Sequence, residues 1–249
     1  MPLTFAHPAA ILPFSRKSNY INFLAMVLGS MSPDFEYFLY GKPHAVIGHT
    51  YTGFLLFNLP IVAIVYFIYS VLIHRTLVQH LPLCLQESPP IKADSGNLLK
   101  VFVFIYSALF GMITHVVWDS FTHVGGAMVM KFSVLTHSLH VFGLSIPFYK
   151  LLQHGSTVIG ILAIFIYLYI RATKNGRNHN HKIDVKQKML YWGYIVLSTI
   201  LIFFLWQLIE RVSLTSYGVM VVRMIDSGMI SLLVVSIYFG NYVKKATRT

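Results

Sequence analysis

The 249-residue chain is 56% hydrophobic and only 11% charged, with 19 Lys and Arg against 8 Asp and Glu and a formal net charge of +11. An ordinary globular domain carries roughly a quarter charged residues, so a soluble fold of this length cannot hide so much apolar surface, whereas a bilayer solvates it. A single cysteine, Cys84, excludes an internal disulfide and a Cys-rich zinc site; in so apolar a chain the basic excess marks loops that meet anionic lipid, not a nucleic-acid surface.

Residues 1–14 lack a basic leader before their apolar stretch, since Arg16 and Lys17 follow it, and nothing here resembles a cleavable signal peptide. Asn19–Met31 is apolar but short for a span. Five runs then have the length and continuity of membrane helices: Gly53–His74, Val101–Trp118, Thr157–Ile170, Leu190–Ile209 and Gly218–Phe239. The third has only 14 residues and borrows Leu151–Ser156 to start. The runs do not alternate, which argues against a β-barrel. The expected fold is therefore all-α, a polytopic helix bundle of about five transmembrane helices with N-terminal and interfacial helices. We read 1–249 as one membrane domain: 1–170 carries the unusual residues, 171–189 is a basic loop, and 190–249 supplies two scaffold helices and a tail. The loop Val78–Gly96, with Pro82, Pro89 and Pro90, reads as a connector.

Orientation follows the basic residues. Arg171, Lys174, Arg177, Lys182, Lys186 and Lys188 crowd one loop against Asp184 alone, and Lys244, Lys245 and Arg248 end the chain. Both segments are expected to be cytoplasmic, and the two helices between them make the assignments agree. Counting back puts 75–100 inside, and the N-terminal arm and 120–156 outside. Arg16, Lys17 and Lys42 sit awkwardly on an outer arm.

An ionisable residue beside hydrocarbon is a functional candidate. Asp34 and Glu36 stand in Ser32-Pro33-Asp34-Phe35-Glu36, after a Gly29–Pro33 break that stops a helix. His115 and Asp119 are one turn apart on a helix face, about 6 Å along the axis, which lets an imidazole and a carboxylate grip one metal ion. His123 continues the stripe, placed for a second ion or a substrate. The plain alternative is a helix-end Asp bonded to a hydroxyl, with His115 a satisfied core histidine. His7 in Ala6-His7-Pro8 and His49 in Gly48-His49-Thr50 fall on the same outer side by a topology that used no histidine. Such a mixed His and carboxylate set suits Zn²⁺ first, with Mn²⁺ or Fe²⁺ as alternatives.

The order His7, Pro33-Asp34-x-Glu36, His49-Thr50, His115-x-x-x-Asp119 resembles the bacterial inner-membrane metal-dependent hydrolase family. Here Glu36 replaces an Asp, and the histidine precedes Thr50 where that family has Thr-His-Ser. The chain resembles more closely an uncharacterised family of bacterial membrane proteins built on a domain of unknown function. The opening Phe5-Ala6-His7-Pro8-Ala9, the segment Gly29–Phe38 and Trp118–His123 carry that likeness across about the first 170 residues. The order is also similar to zinc-dependent phospholipase C, without a counterpart of its later His-x-x-x-Glu pair. These resemblances imply Asp34, His49, His115 and Asp119, with His7, as metal ligands and a lipid or lipid-linked ester or phosphoester as substrate. Glu36 is the candidate general base, or a bridging ligand if two ions bind.

Other polar residues read as less central. His137 and His140 are three apart, facing one way on a helix, and are read as interfacial histidines. His154 is expected to cap the following span. Trp118, Tyr149 and Trp206 are belt aromatics, and Arg223 and Asp226 a pair on one helix face. His179 and His181 belong to a solvated loop. The leading functional expectation is a membrane hydrolase, with membrane lipids as surroundings. A non-enzymatic protein with a structural or metal-handling His/Asp site is the alternative, and transport the third.

Overall fold

In hydrocarbon the backbone has no hydrogen-bond partner but itself, so continuous apolar runs must close their bonds within helices. The computed structural model of the protein describes residues 3–16, 18–86, 96–141, 143–174, 183–213 and 215–246. Lys17, Pro89, Pro90, Arg177, His179, His181, Lys182 and Arg248 of the sequence reading lie outside them.

A 3-10 helix over Thr4–Ile11 precedes α1 (Phe23–Met31). A 3-10 turn, Ser32–Asp34, then leads into α2 (Phe35–Tyr40). Five long helices follow that are apolar enough to cross a membrane. They are α3 (Tyr51–His80), α4 (Asn97–Thr122), α7 (Phe148–Lys174), α8 (Val185–Ile209) and α9 (Tyr217–Ala246). Between α4 and α7 come α5 (Ala127–Lys131), α6 (Ser133–Thr136) and an antiparallel hairpin of β1 (Ser138–Val141) and β2 (Leu144–Pro147). The chain is thus a helical, multi-pass membrane protein. Each span contains its sequence-defined run and extends it at one or both ends. The short third run starts at Phe148, further upstream than expected. Of Asn19–Met31 only nine residues are helical, about 13 Å at 1.5 Å per residue, which does not span.

α3 carries two wide π-helical turns, Phe54–Asn58 and Tyr69–Ile73. The first has a local cause. Pro60 has no N–H to give the Leu56 carbonyl and its ring would strike it; the wide turn instead bonds Leu59 N–H to the Phe54 carbonyl.

The chain forms two compact units. One comprises Met1–Asp34, Ile47–Ala63 and Ile91–Ile170. Here α1 and α4 meet backbone to backbone: a Cβ on Gly29 would strike the Ala108 carbonyl, and one on Gly111 the Met26 carbonyl. Asn22 caps α1 through Ala25 N (3.1 Å), and its own N–H donates to Ser107 Oγ of α4 (3.0 Å). The other unit comprises Phe35–Val46, Ile64–Pro90 and Arg171–Thr249. Its core is Tyr191, Val235 and Phe239 with Leu77, Ile195 and Leu232, and buried His80 stacks on Tyr191 at 4.3 Å. Tyr191 is the one buried residue of α8, whose leucines and phenylalanines otherwise face outward, as hydrocarbon allows and water does not.

Three minor expectations change. Arg223 does not pair with Asp226: it bonds Glu210 Oε2 (2.6 Å) and the Glu210 carbonyl (2.7 Å) at the end of α8. Helical side chains tilt toward their N-terminus, and the last carbonyls of α8 attract a cation. His140 lies in β1 rather than on a helix with His137, and both are exposed. His154 sits seven residues into α7 and caps nothing.

Candidate metal centre

The first unit gathers three separated pieces of chain around the end of α4. His115 and Asp119 are successive turns of that helix, as their spacing requires. The α1–α4 contact brings up the 3-10 turn with Asp34. The loop before α3 brings His49. The N-terminal 3-10 helix brings His7; it is tied to α7 where Leu3 N–H donates to Thr157 Oγ1 (3.2 Å) and Gly160 lets Ala6 approach closely.

His115 Nε2 lies 3.7 Å from Asp34 Oδ1 and 3.3 Å from Asp119 Oδ2. His49 Nε2 lies 3.8 Å from Asp34 Oδ1 and 3.5 Å from Asp119 Oδ2. The second Asp119 oxygen, Oδ1, faces His7 Nε2 at 3.7 Å and His123 Nδ1 at 3.6 Å. Asp34 and His115 are fully buried and Asp119 and His7 nearly so, whereas the His49 and His123 side chains are each 31% exposed. His7 Nε2, Asp34 Oδ1, His115 Nε2 and Asp119 Oδ1 are buried with no hydrogen-bond partner. Leaving such a group unpaired costs about 1–3 kcal/mol, so four converging together demand an explanation.

A metal ion supplies one. Donors about 2.0–2.2 Å from a tetrahedral ion lie roughly 3.3–3.6 Å from each other, and the four imidazole–carboxylate separations of His49 and His115 from Asp34 and Asp119 run from 3.3 to 3.8 Å. Two overlapping trios, His7–Asp34–His115 and His49–His115–Asp119, could each hold an ion. Partners behind the donors orient them, as metal sites require. Thr4 Oγ1 donates to Asp34 Oδ2 (2.7 Å), turning Oδ1 inward. His115 Nδ1 meets the Ser30 carbonyl at 2.8 Å, which places the ring proton on Nδ1 and leaves the Nε2 lone pair for a ligand.

The electrostatics are compatible with a cluster that could hold a cation. Burial, aided by the neighbouring His115, pushes His7 down to about 3, so its ring is neutral and able to coordinate. Burial also raises the Asp34 carboxyl, opposed by His115. A divalent cation inverts that penalty by giving the carboxylate a counter-charge.

Of the sequence candidates, His7, Asp34, His49, His115 and Asp119 come together. His123 touches the set only through Asp119, and its Nδ1 also lies 3.2 Å from the Asp119 carbonyl. Glu36 is buried, belongs to neither trio, and accepts the Val46 N–H at 2.8 Å. Sequence reasoning missed Thr4 and the Ser30 carbonyl, and neither leaves a signal in the sequence.

A family model described as "Domain of unknown function (DUF4184)" matches residues 1–237, and the chain belongs to that family. No curated protein and no solved structure matches it.

Proposed function

We propose that this member of the DUF4184 family is a metal-dependent hydrolase of the bacterial inner membrane, cleaving a lipid or lipid-linked ester or phosphoester. The buried, partnerless donor atoms of His7, Asp34, His115 and Asp119 carry the reading. Their chemistry suits Zn²⁺, with Mn²⁺ or Fe²⁺ as alternatives. A bound ion of this kind polarises both water and the ester oxygen at neutral pH.

The chain's own residues do the rest. Asp34, His49, His115 and Asp119 would hold the ion, while Thr4 and Ser30 keep two of them aimed. The two Asp119 oxygens face different imidazole pairs, which suits a carboxylate shared between two cations. Glu36 is the candidate general base, or a further bridging ligand. The partly exposed rings of His49 and His123 give the cluster an open side, which a purely structural site lacks. The excess of Lys and Arg in the loop after α7 and at the C-terminus supports an orientation with that open side on the outer face of the membrane and the C-terminus cytoplasmic. The complete burial of Asp34 and His115 favours the second reading, a non-enzymatic protein whose cluster is structural or handles metal.

Element-resolved metal analysis of detergent-purified protein tests the reading, followed by turnover on lipid esters and phosphodiesters in micelles. Zinc should fall in His115→Ala, Asp119→Ala and Asp34→Ala and persist when His179 and His181 are replaced. Chelation should abolish turnover. A fully metallated protein that turns over none of a broad panel points to the second reading.

A further inference from the structure

Asn58 is fully buried inside an otherwise apolar span, at the last position of the wide turn that Pro60 imposes on α3. Its Nδ2 donates to the Gly48 carbonyl at 2.6 Å, the peptide that leads directly into His49. Two further atoms beside that peptide are buried and unpartnered: Asn58 Oδ1 and His49 Nδ1. They are complementary. If His49 Nε2 offers its lone pair to a cation, Nδ1 carries the ring proton and needs an acceptor, and the amide oxygen is one. Asp34 has Thr4 behind it and His115 has the Ser30 carbonyl; no such partner of the His49 ring is seen among the described residues.

We infer that Asn58 is the positioning residue of His49: its amide nitrogen grips the Gly48–His49 peptide, and its amide oxygen, not bonded to the ring in this structure, is the acceptor that the ring Nδ1–H takes when Nε2 binds a cation. The inference rests on the metal-site reading above. The local build supports it. Thr50 Oγ1 donates to the Ile47 carbonyl (2.7 Å) and accepts the Gly53 N–H (3.0 Å), which fixes the start of α3 against the loop. A turn later, Asn58 reaches back to the residue before the ligand. A regular α-helical turn would advance residue 58 by about 100° relative to a wide one, so the same wide turn that accommodates Pro60 also sets the azimuth of Asn58.

Co²⁺ titration of the full-length, detergent-purified protein tests this, read by the visible absorption of the bound ion. Outer partners of metal ligands are typically worth 10–100-fold in affinity. Asn58→Leu, close in volume, should weaken Co²⁺ binding by about that factor. Its saturated spectrum should shift toward that of His49→Ala, in a metal-free protein that still unfolds cooperatively. Should Asn58→Leu not fold, Asn58→Ala, which adds no bulk, is judged by the same two readings. Wild-type affinity and spectrum in a folded variant overturn the inference and leave the metal site standing. A loss of affinity with an unchanged spectrum also overturns it, since His49 then still ligates. Absence of Co²⁺ binding by the wild type overturns the metal reading itself, and the inference with it.

Discussion

His7 lies flat against His115, ring centroids 3.8 Å apart and planes within 16°. Two imidazoles so placed cannot both be charged without strong repulsion, and burial settles the matter by keeping His7 neutral down to about 3. In the unfolded chain the same histidine protonates near 6.5. The unfolded state therefore binds more protons below that pH, and the His7 contribution to stability is lost as pH falls from about 6.5 toward 3. Asp34 works the other way: its raised carboxyl stabilises the fold at low pH, and that stabilisation is lost as pH rises through its folded value.

The expected outcome is that, between pH 7 and 5, the melting temperature of the metal-free wild type falls relative to that of His7→Phe, whatever the opposing contribution of Asp34, which the two proteins share. Phenylalanine keeps a flat ring over His115 and takes up no proton. The measurement is a melting series in detergent with chelator present. Identical slopes in the two proteins would show that His7 titrates alike in both states.

Gly111 supplies a second test, because the approach of α1 to α4 holds both Asp34 and the Ser30 carbonyl in place. A Cβ there would strike the Met26 carbonyl and crowd the Ser30 N–H. Gly111→Ala forces the helices apart; overpacking of this kind costs typically 1–3 kcal/mol. The melting temperature should fall and metal affinity with it, whereas Gly155→Ala, also within a helix but meeting nothing within 4 Å, should lower neither. A Gly111→Ala protein with wild-type melting and affinity would remove the α1–α4 contact from the account of the site.

The spans were legible because a bilayer imposes length and continuity on sequence directly. His115 and Asp119 were legible because helical spacing fixes which side chains share a face. What spacing cannot say is which way each oxygen points: that Asp119 turns Oδ2 to His115 and His49 and Oδ1 to His7 and His123 appears only in three dimensions. The supports were hidden for a related reason. His115 is held by the carbonyl of Ser30, 85 positions away, and a backbone oxygen leaves no mark on composition. Arg223 and Asp226 show the limit of face arguments. They share a face, yet the arginine finds better acceptors at the end of α8.

Orientation is tested without reference to any metal. With the exposed Cys84 replaced by serine, a cysteine placed within Ala127–Ser133 should react with an impermeant thiol reagent in intact cells. One placed within 175–180 should react only after lysis. The motive is the cluster of Lys and Arg beyond α7, which favours the cytoplasmic side. Reversed labelling would turn the molecule over and put the cluster on the cytoplasmic face.

Glu36 separates catalysis from structure. Its carboxylate is buried two residues after Asp34 and accepts the Val46 N–H through Oε2. A general base must offer a carboxylate within reach of the proton it takes. Glu36→Gln keeps an oxygen for the Val46 N–H and nearly the same volume, but removes the basicity. If Glu36 is the general base, metal content and melting temperature should stay near wild type while turnover of a micellar lipid ester or phosphodiester falls; general-base catalysis typically contributes 10²–10⁴-fold. Metal lost together with rate makes Glu36 a ligand. A lower melting temperature with unchanged rate per metallated molecule makes it a strut for the Val46 loop. The second variant, Glu36→Asp, retains the base but draws it back by one methylene, so a base should recover part of the rate in Asp relative to Gln. Equal rates in the two variants, both far below wild type, would instead show that the position of the carboxylate counts and its basicity does not.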